Sequence, residues 1–479
     1  MSSAAKAIAA HRLTRRALSL GAVKAFDHAL HFLLPVVLAR ALDAATFGEY
    51  RLIWLVVGTV TALASLNVGG SLYYFLPRSD VPTRRLFVQN TLAYFALAGL
   101  VCGLAVSAWN PLHPAAIDPL LKYDSLVPVF VGLWMATVIL DYLPTVEERI
   151  RWQASVTLTI SALRAALVAA AAITTGELRV ILWLMIAVIV LKLVLLVYYV
   201  ARNHGFARPV CDLRLFGTHL RQAVPFGISA AFFSLRAQAD QWVAASLFAL
   251  SSFAAFSVAG IVGQVVHIFR HSAIEAFMPA MSRMEAAGDV RGMMEMNKRA
   301  NAMVGFALFP VLAAAFAFAE EAVAIIYTTT YLEAAPVIRL YTVGMLALVI
   351  EISSVLQLLR LGGYAVRVQG VILLLSVAGS VAGALAFGLT GAALGSVVGA
   401  YLERALTLRR VSRETGIRLA EVQAWRSLAW SLGSAAFAGL AAWALAPDAN
   451  AFIRLLTGAL ILAAVYGALN FRRLREVTR

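Results

Sequence analysis

The sequence predicts an all-α integral membrane protein with about fourteen transmembrane helices. The composition carries the first part of this prediction, because 61% of the 479 residues are hydrophobic, only 14% are charged, and the mean hydropathy is +0.82. The second part is spacing: apolar runs recur along the whole chain, each near the roughly 20 residues of helix that a ~30 Å hydrocarbon core requires. A soluble domain could not bury this much apolar surface. The predicted spans are 18–40, 50–76, 86–108, 124–144, 153–175, 179–201, 223–249, 254–276, 300–319, 335–359, 368–388, 391–410, 427–446 and 451–470.

The distribution of charge supports both the number of helices and their orientation. The formal net charge is +15. If both termini are cytoplasmic, most Lys and Arg residues outside the spans fall in cytoplasmic segments, whereas 250–253 and 388–391 carry no charge and 320–335 carries only three glutamates. This is the positive-inside pattern. The basic excess is therefore expected to orient the chain and to contact anionic lipid headgroups, and nucleic acid is not an expected partner.

Several classes of function lack their usual sequence signals. Cys102 falls in a predicted span and Cys211 in a predicted cytoplasmic loop, so a disulfide between them is not expected. The sequence has no Cys/His metal spacing, Walker A motif or nucleophile elbow. We therefore expect no catalytic residues, no metal and no cofactor. Lys24 and Asp27 interrupt the first apolar run, which favours a retained first helix over a cleaved signal peptide.

A weak internal repeat predicts two lobes. Leu42…Phe47–Tyr50 joins the first two spans, and Leu250…Phe253–Phe256 joins the seventh and eighth in a similar way. Repeated halves are a common plan for secondary transporters. The 202–222 segment suits either an amphipathic helix on the inner membrane surface or a solvated linker. The predicted organisation is an N-terminal lobe of helices 1–6 (1–201), a cytoplasmic linker (202–222), a C-terminal lobe of helices 7–12 (223–410), a second cytoplasmic linker (411–426), and helices 13–14 with a basic tail (427–479).

Five short segments at helix ends resemble those of the Wzx-type lipid-linked oligosaccharide flippases, a family of the multidrug/oligosaccharidyl-lipid/polysaccharide (MOP) exporter superfamily. They are Leu38–Tyr50, Leu66–Gly70, Phe277–Arg283, Tyr331–Arg339 and Phe387–Gly395. The resemblance implies a MATE-like architecture of two six-helix lobes plus two C-terminal helices. It also implies a flippase of the bacterial cytoplasmic (inner) membrane with both termini cytoplasmic. Such a protein would move undecaprenyl-pyrophosphate-linked oligosaccharide by alternating access for O-antigen, exopolysaccharide or capsule biosynthesis.

The resemblance also sets the expected partners: a polyprenyl-linked glycan, membrane lipids, H⁺ or Na⁺ as a candidate coupling ion, and a glycan polymerase or other assembly proteins. The closest alternative is a cation-coupled multidrug antiporter of the same superfamily, for which Asp27 would suit a cation site. Many intramembrane cations argue against it, because they would repel a cationic drug. A membrane polymerase would usually need a larger external loop than this chain offers.

Charged residues inside the predicted spans are the candidates for function, because each costs roughly 2.5–3.5 kcal/mol on insertion scales and should face a wet cavity or a partner. Lys24, Arg236 and Arg270 are candidate pyrophosphate ligands, since a guanidinium presents a planar fork to phosphate oxygens. The alternative is that Lys24–Asp27 and Arg236–Asp240 neutralise each other at i, i+3 and i, i+4 spacing.

Acidic residues inside the predicted spans are candidates for binding a coupling ion. They are Asp27, Asp240, Glu275 and Glu351. Any of them could take up a proton or Na⁺ during a transport cycle. The alternative is that they are buried polar groups that neighbouring helices satisfy.

Overall fold

The computed structural model of the protein describes residues 26, 29–205 and 212–471, and within these ranges it is helical and contains no β-strand. Each of the fourteen predicted spans has a helix or a pair of helices as its counterpart, so the all-α prediction is confirmed. The helices are α1 Ala29–Ala41, α2 Ala44–Ala64, α3 Val68–Phe75, α4 Val81–Ala105, α5 Asp118–Leu121, α6 Leu126–Thr137, α7 Leu143–Val146, α8 Ile150–Thr174, α9 Leu178–Asn203, α10 Leu213–Leu247, α11 Leu250–Ala259, α12 Ile261–Ala286, α13 Val290–Ala317, α14 Ala319–Ile326, α15 Ala334–Leu348, α16 Ser353–Leu358, α17 Gly362–Gly391, α18 Leu394–Thr415, α19 Leu419–Val422, α20 Trp425–Leu445 and α21 Ala451–Leu469.

Within the described ranges, nine helical segments are long and apolar enough to cross a membrane. The chain forms two compact units, Met1–Ser234 (unit 1) and Leu235–Arg479 (unit 2), and the boundary falls inside α10. The units are described separately below. The finer division of the chain into lobes, linkers and two added helices stays a prediction.

Several predicted spans are interrupted, which hydropathy does not reveal, and two of these breaks position other residues. The second breaks at 65–67, where Leu66 and Asn67 adopt positive φ angles of 42° and 57°. A Cβ on Gly227 of α10 would lie 2.3 Å from the backbone carbon of Leu66, so only glycine permits α10 to approach this break. The tenth span breaks at 349–352, between α15 and α16. Each break exposes backbone groups that need partners within the protein.

Unit 1 has a core in which α3, α4, α6, α9 and the first part of α10 pack together. Fully buried apolar side chains from these elements include Val68, Phe95, Met135, Leu196 and Ala223. α4 and α6 approach closely, because a Cβ on Gly99 would lie 2.4 Å from the carbonyl oxygen of Gly132. Small residues at helix crossings allow this close packing in membranes.

The linker that precedes predicted helix 7 is helical from Leu213 and continues directly into α10. His219 lies in this first part of α10, is fully buried, and contacts the Ser71 hydroxyl and the rings of Phe75 and Phe87. Burial lowers the pKa of His219 to about 4. The part of the linker from Leu213 is therefore a helix packed on the core of unit 1 and not a solvated linker, whereas its place at the inner membrane surface stays a prediction and residues 206–211 lie outside the described ranges.

Unit 2 contains a tight pair of long helices, α17 and α18. A Cβ on Gly395 of α18 would lie 2.0 Å from the carbonyl oxygen of Ser376 on α17, and within α17, which kinks at Gly388, one on Gly391 would lie 1.9 Å from the carbonyl oxygen of Gly383. A second cluster, with Met293, Ile352 and Val411 at its centre, packs around the break between α15 and α16. The break is thereby held in apolar surroundings, so its polar groups require partners inside the unit.

Candidate functional site

Charged side chains from three helices of unit 2 meet in its interior. A guanidinium nitrogen of Arg236, on α10, lies 3.2 Å from a carboxylate oxygen of Glu403, on α18, and the two side chains are only 13% and 7% exposed. Gln369 of α17 donates a 2.9 Å hydrogen bond from Nε2 to the other oxygen of Glu403. Charges inside a membrane bundle must be paired in this way or face water.

Two further arginines complete this cluster. Arg404 is 5% exposed and interacts electrostatically with Glu403, Arg270, Glu351 and Arg236. Arg270, on α12, interacts with the same two glutamates. Three guanidinium groups therefore share two carboxylates among the described residues, which leaves one positive charge in excess. We call Arg236, Arg270, Arg404, Glu351 and Glu403 the arginine cluster.

Not all guanidinium donors of the arginine cluster are satisfied by the described part of the chain. Within the described residues, Nε and Nη1 of Arg404 and Nε of Arg270 are buried and have no hydrogen-bond partner. A buried donor without a partner costs about 1–3 kcal/mol. Charge and unsatisfied donors together are what an anionic ligand such as a phosphate would complete.

The break between α15 and α16 carries Glu351 into the arginine cluster. Its carboxylate caps α16, where Oε1 accepts hydrogen bonds from the backbone N–H groups of Ser353 (2.7 Å) and Ser354 (3.2 Å). Asn301 of α13 satisfies the backbone at Glu351, since it donates to the Glu351 carbonyl (2.9 Å) and accepts from the Glu351 N–H (3.0 Å). Asn297 donates a second hydrogen bond to that carbonyl, at 3.0 Å.

A residue just before α20 closes this polar network. Gln423 accepts a 3.0 Å hydrogen bond from Asn301 and donates a 3.3 Å hydrogen bond to Asn297. Gln423 is 2% exposed, and both asparagines are buried. The network thereby holds the break in one conformation and fixes the position of Glu351.

A small cavity of about 20 Å³, room for about one water molecule, lies beside the arginine cluster. Polar groups line one part of it and apolar side chains the rest. The polar lining residues are Arg270, Asn297, Asn301, Glu351 and Ser354, and the apolar ones include Ile274, Phe277, Met278 and Met281. Two members of the arginine cluster, Arg270 and Glu351, therefore line this cavity.

Asp240 lies in a separate arrangement, one helical turn after Arg236 on α10. Its carboxylate is 3% exposed and accepts a 2.7 Å hydrogen bond from the hydroxyl of Tyr341, on α15. The backbone N–H of Gln241 donates to its other oxygen at 2.8 Å. The ion pair of Arg236 with Glu403, and the hydrogen bond of Asp240 with Tyr341, are thus contacts that helical spacing alone could not reveal.

The structure brings together three of the residues predicted from sequence, Arg236, Arg270 and Glu351. Lys24 and Asp27 lie outside the described residues, and so does the side chain of Glu275. The roles assigned to all of these residues stay predictions.

Sequence reasoning missed Glu403 and Arg404, which lie near the end of the predicted 391–410 span and therefore looked interfacial. In the structure, α18 continues to Thr415 and both residues are buried. The signal that could have identified them is the continued helical pattern beyond 410.

The chain matches the family described as "Polysaccharide biosynthesis protein" over residues 37–336. No curated protein matches the chain. Among solved structures, the fold is similar to that of the lipid II flippase MurJ in an inward closed conformation, with a TM-score of 0.74, 13% sequence identity, and coverage of 96% of this chain and 99% of that chain.

Two multidrug transporters of the MATE family also share the fold. An inward-facing MATE transporter of the MOP superfamily has a TM-score of 0.61 at 12% identity, and covers 82% of this chain and 96% of its own. The Vibrio cholerae MATE transporter VcmN has a TM-score of 0.54 at 13% identity, with 87% and 99% coverage. The MATE-like fold that the resemblance of the five segments implies is thereby confirmed.

Proposed function

The chain belongs to the polysaccharide biosynthesis protein family, and from that premise we propose that it is a flippase for undecaprenyl-pyrophosphate-linked oligosaccharide. It acts in the bacterial cytoplasmic membrane, with both termini cytoplasmic, and supplies the synthesis of a surface polysaccharide such as O-antigen, exopolysaccharide or capsule. The observation that carries the proposal is the arginine cluster, which holds an excess positive charge at membrane depth. The polyprenyl tail stays in the lipid while the headgroup crosses by alternating access.

The pyrophosphate explains why such a cluster is useful. A headgroup that crosses the low-dielectric region brings negative charges that need cations close by, and the attraction between them is strong where water is scarce. Arg270 lines the cavity, and its Nε is unsatisfied among the described residues. Arg270 therefore binds the pyrophosphate in this proposal, together with Arg236, whereas Lys24 lies outside the described residues and stays a candidate from the sequence alone.

Coupling to an ion is a further part of the proposal. Asp240 is a buried carboxylate whose hydrogen-bond donors, the Tyr341 hydroxyl and the Gln241 N–H among them, are neutral, so a proton or Na⁺ would neutralise its charge. Asp27, Glu275 and Glu351 are the other candidates. A buried carboxylate such as Asp240 would also suit a second function, a cation-coupled multidrug antiporter. The fold does not separate the two functions, because a multidrug transporter of the MATE family shares it.

Proteoliposomes distinguish the two functions. A fluorescent polyprenyl-pyrophosphate oligosaccharide and a cationic dye are offered to the wild-type protein and to the Arg236→Ala/Arg270→Ala variant. We expect transport of the anionic lipid only, slowed at least tenfold in the variant, because one charged hydrogen bond contributes about 1.5–3 kcal/mol.

Arg299→Ala is the matched control, since this side chain is 79% exposed and pairs only with Glu295 among the described residues. It should transport like the wild type. Export of the dye without any response to the lipid would replace the flippase proposal with the antiporter. Full lipid transport by the variant, at an unchanged protein level, would remove the arginine cluster from the mechanism.

A further inference from the structure

Unit 1 contains a second group of charged side chains at membrane depth, and the proposed pyrophosphate site does not use it. Lys192 lies near the middle of α9 and pairs with Asp141, just after α6, at 2.9 Å. Arg164 lies near the middle of α8 and contacts a ring nitrogen of His31, on α1, at 2.8 Å. Each pair joins residues that are at least 50 positions apart in the chain, so the fold determines these contacts.

Two indole rings form a wall of the same group. The rings of Trp54 and Trp134 meet edge to face with centroids 5.1 Å apart. The Arg164 guanidinium carbon lies 5.4 Å from the Trp54 ring and 5.9 Å from the Trp134 ring, and the Lys192 ammonium lies 5.6 Å from the Trp134 ring. These distances are near the ~6 Å limit of a cation–π contact, so the cations lie over the rings without being held tightly by them.

The position of Trp54 sets this group apart from aromatic residues at a membrane interface. α2 begins at Ala44 and ends at Ala64, which places Trp54 near its middle, whereas interfacial aromatic residues lie near span ends. Both tryptophans are half-buried. The two indole rings therefore lie beside charges that need a polar partner at this depth.

The charges of this group are not balanced by the described residues. Arg164 and Lys192 provide two positive charges and Asp141 one negative charge, while the His31 nitrogen that accepts from Arg164 carries a lone pair. The Asp141 side chain is 53% exposed, whereas that of Lys192 is 12% exposed. Trp134 therefore has two cations near its ring, those of Arg164 and Lys192, and the carboxylate of Asp141 is paired with the second of them.

We propose that Trp134, Arg164, Lys192 and Asp141 form a saccharide subsite that accepts an acidic sugar residue. The C–H face of a sugar ring packs on an indole, and its hydroxyl groups donate to Asp141 and accept from Lys192. A carboxylate on the sugar neutralises the excess cation at Arg164, to which it can bind in a bidentate manner. As a selectivity site for the headgroup, this inference rests on the proposed flippase function.

Free saccharides test the subsite without the lipid or the pyrophosphate. Binding of a hexuronic-acid-containing disaccharide and of its neutral hexose counterpart to the purified full-length protein is measured by saturation-transfer NMR. We expect the acidic disaccharide to bind and the neutral one to bind at least tenfold more weakly. Trp134→Leu and Arg164→Gln should each weaken binding of the acidic disaccharide about tenfold, which corresponds to about 1.4 kcal/mol.

Matched variants control for folding and for the loss of a tryptophan or an arginine elsewhere. Trp183→Leu removes a tryptophan of α9 that is 59% exposed, and should bind like the wild type. Arg299→Ala removes an arginine whose side chain is 79% exposed, and should also retain saccharide binding. Because Trp134→Leu removes part of a packed aromatic wall, Trp134→Phe provides a second variant that keeps a ring and should lose less affinity.

The outcomes separate this inference from the flippase proposal. Lipid transport without any saccharide binding would overturn the subsite and leave the flippase standing. Saccharide binding that Trp134→Leu and Arg164→Gln abolish would support the subsite even if lipid transport were absent. Equal binding of the neutral and acidic disaccharides, or binding unaffected by Trp134→Leu and Arg164→Gln, would also overturn it.

Discussion

Replacing Glu403 by Gln tests whether the arginine cluster depends on its carboxylates. The substitution keeps the size of the side chain but removes the negative charge that faces Arg236 at 3.2 Å and that also acts on Arg404. Removing one partner of a buried ion pair is strongly destabilising, by about 3–5 kcal/mol, because the remaining charge is left without compensation. We use the lower value, since the Arg236 side chain is 13% exposed.

This free energy predicts a measurable change in thermal unfolding. Unit 2 has about 250 residues, and for that size 1 kcal/mol shifts Tm by about 2–4 °C. Glu403→Gln should therefore lower Tm by roughly 6–12 °C in lipid nanodiscs. Adding Arg236→Gln should restore part of the loss, because it removes one of the unpaired cations. Arg404 remains uncompensated, so the restoration should be incomplete.

An exposed ion pair of the same unit is the matched control. Arg339 and Glu320 lie 3.0 Å apart, but their side chains are 34% and 58% exposed. Solvent-exposed pairs contribute about 0.2–1 kcal/mol, so Glu320→Gln should change Tm by only a few degrees. The reasoning is refuted if Glu403→Gln and Glu320→Gln shift Tm equally, or if Arg236→Gln adds a further full loss instead of restoring stability.

Three further predictions concern packing and the docked linker. His219 has a folded pKa of about 4, below the ordinary 6.5, so the stability that its neutral ring gives the folded state is complete above pH ~6.5 and is lost as the pH falls towards 4. Between about pH 7.5 and pH 5, the free energy of unfolding of the wild type should therefore fall by about 2 kcal/mol more than that of His219→Leu. Unfolding measured at both pH values checks this prediction. Gly395→Ala should lower the free energy of unfolding by about 1–3 kcal/mol, because its Cβ would lie 2.0 Å from the carbonyl oxygen of Ser376. Gly433→Ala is the control, since the space around Gly433 is open and its Tm in thermal unfolding should stay close to that of the wild type. Equal Tm values for the two variants would contradict this prediction. Asn301→Leu should destabilise by about 1–3 kcal/mol and increase hydrogen exchange at 349–352, because the buried N–H of Glu351 loses its acceptor while the carbonyl keeps only Asn297; unchanged exchange there would show that other groups hold the break.

Hydropathy and charge were sufficient to predict the helical class and the positions of the helices, whereas the fold type followed from the resemblance of five short segments to a known family. A helix crosses a membrane because its own residues are apolar and its backbone is satisfied internally, and both conditions can be read from a local stretch of chain. The ends agree within a few residues for several spans; α8, for example, runs from Ile150 to Thr174 against a predicted 153–175.

The interior of each unit depended on the tertiary structure, because it joins residues that are distant in the chain. Helical spacing relates Arg236 only to neighbours such as Asp240, whereas its ion pair with Glu403 depends on how α10 and α18 pack. In the same way, Lys192 had no near neighbour in sequence until α9 and the end of α6 brought it to Asp141. Local composition determines which segments enter the membrane, but the low dielectric inside it requires each charge to find a partner, and only the packed helices determine which partner that is.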